Sequence, residues 1–393
     1  MELILLLGIF VALVFNFMNG LHDAANSIAT IVGTRVLSPL KAVTLAAFCN
    51  LIGPLFFTTA IAKTIGQGII IPTSITVTVI IAGITIAILW VLFTAWIGIP
   101  ISSTHAMIGG LIGSAVAFGG FSVLVLPSIA MVEGLIVSVL AGAVMGMIIG
   151  ILLVFFFQMA EYKEYAQMGG IFGGILIVPI VIILHLVSIS GLLAIAVFIV
   201  VSPMLGFTAA YLICLAVTRL FRDKEQKRMN RHFRHLQILS ASFYSIGHGS
   251  NDAQHAMGII TAMLFSAGLI TDFTIPLWVI LLSCAAMSLG TLTGGWKIVE
   301  TMAKKITKIR PYQGFCAETG GGVVLSFVTM MGVPVSSTHA INGAITGVGA
   351  INGYSAVQWG MVRRIVTAWI ITIPLTAISA YAVVALIEVF LAQ

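Results

Sequence analysis

The chain has 393 residues, of which 60% are apolar and 8% charged, with a mean hydropathy of +1.17 and a net charge of +6. A soluble domain is nearer 45–50% apolar and about 25% charged, so composition excludes a soluble enzyme or binding module. The positive charge does not indicate a nucleic-acid partner: seven of the eighteen Lys and Arg lie between Arg219 and Arg234, the pattern of a short cytoplasmic anchor between membrane spans.

In chain order, apolar stretches bounded by breakers predict membrane crossings over 3–34, 42–62, 72–97, 101–118, 128–157, 170–188 and 192–219. Five more follow the basic stretch, over 238–270, 275–302, 313–333, 334–352 and 359–391. Stretches this long and apolar predict an all-α polytopic membrane protein. The first stretch has no basic region ahead of it and merges into a polar motif, so it does not have the form of a cleavable signal. The four cysteines are scattered without paired spacing and read as small core residues.

Two motifs recur along this chain. Gly98-Ile99-Pro100-Ile101-Ser102-Ser103-Thr104-His105-Ala106 is matched by Gly332-Val333-Pro334-Val335-Ser336-Ser337-Thr338-His339-Ala340, and nine of the sixteen positions over 98–113 and 332–347 are identical. A weaker echo pairs Gly20-Leu21-His22-Asp23-Ala24-Ala25-Asn26 with Gly249-Ser250-Asn251-Asp252-Ala253-Gln254-His255. The chain is therefore a tandem duplication, with residues 1–157 as the first repeat and 238–393 as the second. Residues 158–219 form linking membrane segments, and 220–237 a basic cytoplasmic loop. If the amino terminus lies outside, sixteen of the eighteen basic residues fall in cytoplasmic loops. Asp23 then lies in crossing one and Asp252 in crossing eight, so the repeats are inverted relative to each other. Pairs of inverted repeats with broken or re-entrant helices build alternating-access transporters. The segments 101–118 and 334–352 are barely long enough to span, and each is equally consistent with a re-entrant hairpin.

The polar clusters carry the chemistry. Ser102-Ser103-Thr104 and Ser336-Ser337-Thr338 each follow a proline and open a small-residue helical run, where hydroxyls and unpaired first-turn amides make an anion site. Two such sites converging from two repeats suit a tetrahedral oxyanion, phosphate and sulfate alike. Asp23 and Asp252 are intramembrane carboxylates with no Lys or Arg within ten residues on their own segments. Such groups need a cation or a proton, and Asn26 and Asn251 add neutral oxygens beside them. Oxygen ligands suit Na⁺, protonation, Mg²⁺ or Ca²⁺. Gly20 and Gly249 mark places where a helix could unwind to free carbonyls. His105 and His339 lack the further ligands of a zinc site and read as imidazoles holding their loops. Gly142-x-x-x-Gly146-x-x-x-Gly150 reads as a close-packing face, against a neighbouring helix or a second copy in a homodimer.

These motifs resemble the inorganic phosphate transporter (PiT) family, whose signature is Gly-Ala-Asn-Asp-x-Ala-Asn. Copy one has Leu21-His22 where the family has Ala-Asn, and copy two has Gln254-His255 where it often has Ala-Asn, so one carbonyl ligand in each copy becomes imidazole. The resemblance covers nearly the whole chain. It implies phosphate as substrate with Na⁺ or H⁺ as the coupling ion and no further cofactor; Na⁺ symport is the expectation, with a proton-coupled or metal-phosphate symporter and a sulfate transporter as the alternatives. It assigns phosphate to Ser102, Ser103, Thr104, Ser336, Ser337 and Thr338, and cations to Asp23, Asn26, Asn251 and Asp252. Glu318 has no acidic counterpart near Ile84 in copy one and is a further Na⁺ candidate. The expected location is the cell membrane.

Two other classes of function fit less well. A channel builds its pore from subunit rings or a continuous polar stripe. An intramembrane hydrolase would not need two symmetric sets, and a serine adjacent to its histidine in sequence is poor triad geometry.

Overall fold

The computed structural model describes residues 2–71, 76–157, 162–184, 186, 187, 189, 191–222 and 226–391. Apart from one bridge between Ile70 and Leu124, the regular structure of these residues is helical. Helix α1 spans Glu2–Gly33, α2 Pro39–Ile52, α3 Ala60–Gln67, α4 Val77–Ile97, α5 Ser103–Gly119, α6 Ile129–Phe157, α7 Tyr162–Ile183 and α8 Gly191–Leu220. Helix α9 spans Gln226–Ser266, α10 Leu277–Thr293 and α11 Trp296–Glu300, which continues as a π-helical turn over Thr301–Lys305. Helix α12 spans Pro311–Met330, α13 Ser337–Ala350 and α14 Trp359–Leu391.

Five of these helices (α1, α4, α6, α8 and α14) are long and apolar enough to cross a membrane alone, so the chain is a multi-pass membrane protein. Two expected crossings are broken. The chain bends by 80° between the pieces Pro39–Leu55 and Ala60–Gln67, over residues 56–59, and by 62° between α10 and α11, at Gly294-Gly295. With each bent pair counted as one span, seven segments meet the length and composition of a crossing, against the twelve expected. The remainder fall short for physical reasons. Helices α5 and α13 have 17 and 14 residues, roughly 25 and 21 Å at 1.5 Å per residue, less than a hydrocarbon core of about 30 Å. Helix α9 is 41 residues long, but polar side chains run through it. Residues 226–237, expected in the basic loop, are the first turns of α9; 223–225 lie outside the described residues.

Corresponding segments of the two copies make matched contacts, exchanged between copies. Gly20 of α1 lies against the Met287 carbonyl of α10, and Gly249 of α9 against the Asn50 carbonyl of α2. Both helices stay continuous through these glycines. The missing side chain therefore permits close approach of another backbone, where the sequence had suggested unwinding. The motif helices extend the pattern: Gly109 and Gly113 of α5 meet Ile373 and Ala377 of α14, while Gly343 and Gly347 of α13 meet Pro203 and Phe207 of α8. Helix α8, assigned from sequence to the linker, thus holds the place beside α13 that α14 holds beside α5. Helix α6 packs along α7, where Gly142 and Gly146 close on Gly173. At Gly142 and Gly146 that small-residue face is filled within the chain.

Candidate functional site

Local sequence sets the two anion loops. Gly98 ends α4 in the left-handed region, at φ +81°, and Gly332 follows α12 at φ +70°. Pro100 and Pro334 then keep the chain extended. Ser102 and Ser336 become N-caps, their hydroxyls accepting from the His105 amide at 3.1 Å and the His339 amide at 3.3 Å. The amides of the first two residues of each helix, Ser103-Thr104 and Ser337-Thr338, have no intrahelical acceptor. All six triplet side chains are buried.

Four helices meet at the triplets. Ser103 Oγ donates to Asn19 Oδ1 at 2.5 Å and is 3.2 Å from Asp23 Oδ2. Ser337 Oγ donates to Asp252 Oδ2 at 3.1 Å. The threonines reach across to the opposite copy. Asn26 Nδ2 donates to Thr338 Oγ1 at 2.9 Å, and Thr104 Oγ1 pairs with His255 Nε2 at 3.2 Å. Asp23 and Asp252 are both buried, and each has a neighbour at the preceding position: His22 Nδ1 lies 2.6 Å from Asp23 Oδ1, and Asn251 Nδ2 donates to Asp252 Oδ1 at 2.6 Å.

The two departures from the duplicated pattern are thereby explained in space. His22 stands where copy two has Asn251, and His255 where copy one has Asn26; each imidazole makes the contact that the matching amide makes in the other copy. Asn251 is turned so that its amide nitrogen faces Asp252 and the Val335 carbonyl, while its oxygen accepts from Thr329 at 3.3 Å. Its oxygen thus points toward α12, away from the place where a ligand to the same cation as Asp252 was expected.

Asp23, Asp252 and His248 form the tightest titratable group, each with a ligand atom within 4.8 Å of the others'. His248 Nε2 is 3.2 Å from Asp252 Oδ2, and its Nδ1 faces Asn50 Oδ1 at 3.2 Å, while Asn50 Nδ2 donates to Thr291 at 2.9 Å. His248 precedes Asp252 by four residues, and Asn19 precedes Asp23 by four, so both lie on the aspartate face of their helices. Sequence analysis missed His248, Asn19 and Asn50; the four-residue spacing before each aspartate was the available signal for the first two.

Glu318 is buried but separate. It accepts from Thr30 at 2.5 Å, Ser240 at 2.5 Å and Gln237 Nε2 at 3.0 Å. Thr30 lies seven residues beyond Asp23 on α1, about 10 Å of helix rise. His105 and His339 meet each other edge to face, with ring centroids 4.9 Å apart, and His339 stacks on Trp369 at 3.8 Å. These two imidazoles pack the backs of the loops.

Comparison with known proteins decides the family. The profile of the PHO4 phosphate transporter family matches residues 19–380. The chain belongs to this phosphate transporter family. It is 45% identical over 376 residues to a Rhizobium meliloti protein named "Probable low-affinity inorganic phosphate transporter", covering 95% of this chain and 94% of that one. A Bacillus subtilis protein of the same name is 36% identical, with 96% of each chain covered. A solved structure of a protein called the sodium-dependent phosphate transporter has the same fold: the TM-score is 0.69 at 23% identity, over 98% of this chain and 99% of that one. The family members are transporters, and nothing in the cluster is needed as an enzyme's catalytic set.

Proposed function

We propose that this chain is a secondary active transporter that moves inorganic phosphate with Na⁺ across the cell membrane by alternating access. One observation carries the reading: the hydroxyls best placed for an anion, Ser103 and Ser337, each contact the aspartate of their own copy. A serine hydroxyl has one hydrogen to donate. Turning it toward a phosphate oxygen takes it from Asp252 at Ser337 and from Asn19 or Asp23 at Ser103, and a cation beside the carboxylate replaces what was lost. Unlike charges about 4 Å apart attract by roughly 4 kcal/mol at an effective dielectric of 20, so anion and cation bind as a pair.

In this reading phosphate takes donors from Ser102, Ser103, Thr104, Ser336, Ser337 and Thr338 and from the first-turn amides of α5 and α13. Na⁺ is held at Asp23 and Asp252 with the oxygen of Asn26; Asn251 supports Asp252 through its amide nitrogen. Glu318, surrounded only by neutral donors, holds a further Na⁺. The two carboxylates also favour phosphate over sulfate. Phosphate near neutral pH carries an O–H that can donate to Asp23 or Asp252; sulfate carries none, and an acceptor facing it is repulsive. The exchanged contacts support a two-fold relation between α1–α5 with α8 and α9–α14, which amends the repeat boundary expected at residue 157. The basic residues from Arg219 to Arg234, around the start of α9, lie on the cytoplasmic side.

A second reading has its own observation. Three imidazoles, of His22, His248 and His255, lie against the carboxylates and the threonine of Thr104. Nitrogen with carboxylate ligands suits a proton or a divalent transition metal better than Na⁺. Uptake of labelled phosphate into proteoliposomes, with Na⁺, proton or divalent-ion gradients imposed singly, separates the two. Uptake that needs Na⁺ and ignores the others supports the first; uptake at full rate without Na⁺ removes it. No phosphate uptake under any gradient removes both.

A further inference from the structure

Two hydroxyl contacts outside the triplets are repeated across the copies and join one copy to the other. Thr301, in the π-helical turn after α11, donates to the Gly98 carbonyl at 2.8 Å. Thr64, on α3, donates to the Gly332 carbonyl at 2.8 Å. Gly98 and Gly332 are the matching left-handed residues that open the two Gly-x-Pro-x-Ser-Ser-Thr-His motifs. Both donors sit on the short arm beyond a sharp bend, 62° for α11 and 80° for α3. The surrounding packing repeats too: Gly98 lies against Lys297 of the α11 arm, and Gly332 against Ala60 of the α3 arm.

Each arm therefore belongs to one copy and grips the loop of the other. The grip is at the root of the loop, four residues before the N-cap serine, so a shift of the glycine carbonyl is passed along an extended run to the donors at its end. The two arms are tied to the rest of the molecule by different contacts. Gln254 of α9 pins the start of α3, donating to the Thr58 carbonyl at 2.9 Å and accepting from the Ala62 amide at 3.1 Å. The residue matching Gln254 on α1 is Ala25, which has no amide to offer the α11 arm; that arm is tied instead through Lys297, whose Nζ donates to the Trp96 carbonyl at 2.8 Å. A π-helical turn of the kind that carries Thr301 is itself frequent at functional sites.

We propose that Thr64 and Thr301 are a matched pair of positioning residues for transport. Each hydroxyl fixes the other copy's phosphate loop while its arm is closed and releases it when the arm swings. The two arms then admit phosphate from opposite faces. This rests on the symport reading above.

The test uses Thr64→Val, Thr301→Val, Thr64→Ser and Thr301→Ser in the full-length protein reconstituted in vesicles. Valine keeps the shape and removes the donor. The expected result is a maximal phosphate uptake rate lower by roughly three- to tenfold, the range for loss of one neutral hydrogen bond. Most of the rate is restored by serine at either position. Cysteines at Ile99 and Val333 give a second readout that needs no uptake, since the four native cysteines are buried. An impermeant thiol reagent should label Ile99→Cys faster in the Thr301→Val background and Val333→Cys faster in the Thr64→Val background, from opposite faces. Wild-type rates and wild-type labelling in both valine variants overturn the proposal. So do serine variants as impaired as the valine ones, or both cysteines reacting from one face. Wild-type vesicles that take up no phosphate sink the symport reading, and the labelling arm still decides the proposal about the arms.

Discussion

Replacing Ser337 by alanine separates substrate binding from folding more cleanly than any other change at the site. Its Oγ donates to Asp252 Oδ2 at 3.1 Å and accepts from Asn26 Nδ2 at 3.3 Å. Neither partner is abandoned by the change: Asn26 keeps Thr338 at 2.9 Å, and Asp252 keeps Asn251 at 2.6 Å and His248 at 3.2 Å. Helix α13 also stays capped, because the cap is Ser336. The stability cost should therefore be that of one ordinary hydrogen bond, about 1 kcal/mol. Binding loses a donor to an anion, about 1.5–3 kcal/mol, or roughly 10- to 150-fold in phosphate affinity. Ser336→Ala is the contrasting variant. It removes the acceptor for the His339 amide and should cost about 1 kcal/mol of stability, with a smaller loss of affinity. Equilibrium binding of labelled phosphate to the purified proteins at fixed Na⁺, beside thermal unfolding, measures both quantities. Wild-type affinity in Ser337→Ala would take the α13 triplet out of the substrate site. Equal affinity losses in both variants would show that the effect travels through the helix cap.

The coupling has its own signature: in Asp23→Asn or Asp252→Asn, phosphate should no longer raise Na⁺ affinity, whereas in the wild type each ligand raises the other's by the same factor. Calorimetric titration of each ion in the presence and absence of the other checks this, and undiminished mutual enhancement in both variants would remove the aspartates from the cation site. Glu318→Gln keeps the shape among Thr30, Gln237 and Ser240 but removes the charge; phosphate affinity at saturating Na⁺ should hold while the Na⁺ Hill coefficient of uptake falls, and an unchanged coefficient would leave Glu318 without an ion. A cysteine at Arg222 should react with impermeant reagents only from the cytoplasmic side and one at Asp272 only from outside, since α9 alone lies between them; reaction from one face would break the proposed topology.

Most of the site was legible because its elements are local and duplicated. The proline before each serine triplet, and the aspartate in each apolar segment, state their chemistry within a few residues. What lay outside the reach of sequence depends on contacts between the copies. Asn26 was read as an oxygen ligand in its own copy, yet its amide nitrogen is spent on Thr338 of the other. His248 joins the candidate cation cluster because α9 carries it toward Asp23 of α1, and Asn50 reaches His248 from α2. The form of the spans was also beyond the sequence. Apolarity alone does not distinguish a straight crossing from one bent between Leu55 and Ala60, or a full span from the 14 residues of α13. The boundary at 157 followed from counting five segments per copy. Helix α8 shows its role only where Pro203 and Phe207 lie against Gly343 and Gly347, a contact with no trace in the local pattern of either segment.

The exchange of partners also bears on why such a molecule is built from two copies. Were each triplet served only by the aspartate of its own copy, the halves could bind independently, and anion and cation would leak separately. Here Ser103 contacts Asp23 within copy one, but Asn26 of copy one holds Thr338 of copy two, and His255 of copy two holds Thr104 of copy one. Each triplet is therefore completed by both copies. Each loop is likewise rooted in the other copy's arm through Thr64 or Thr301. A ligand that pulls one triplet inward thus acts on two helices from opposite copies at once. An empty or half-filled site leaves buried donors and carboxylates competing for the same hydrogens, a state costly in low dielectric. On the proposed symport reading, the pairing of phosphate with its cation is a property of the interface between the copies, and neither copy could supply it alone.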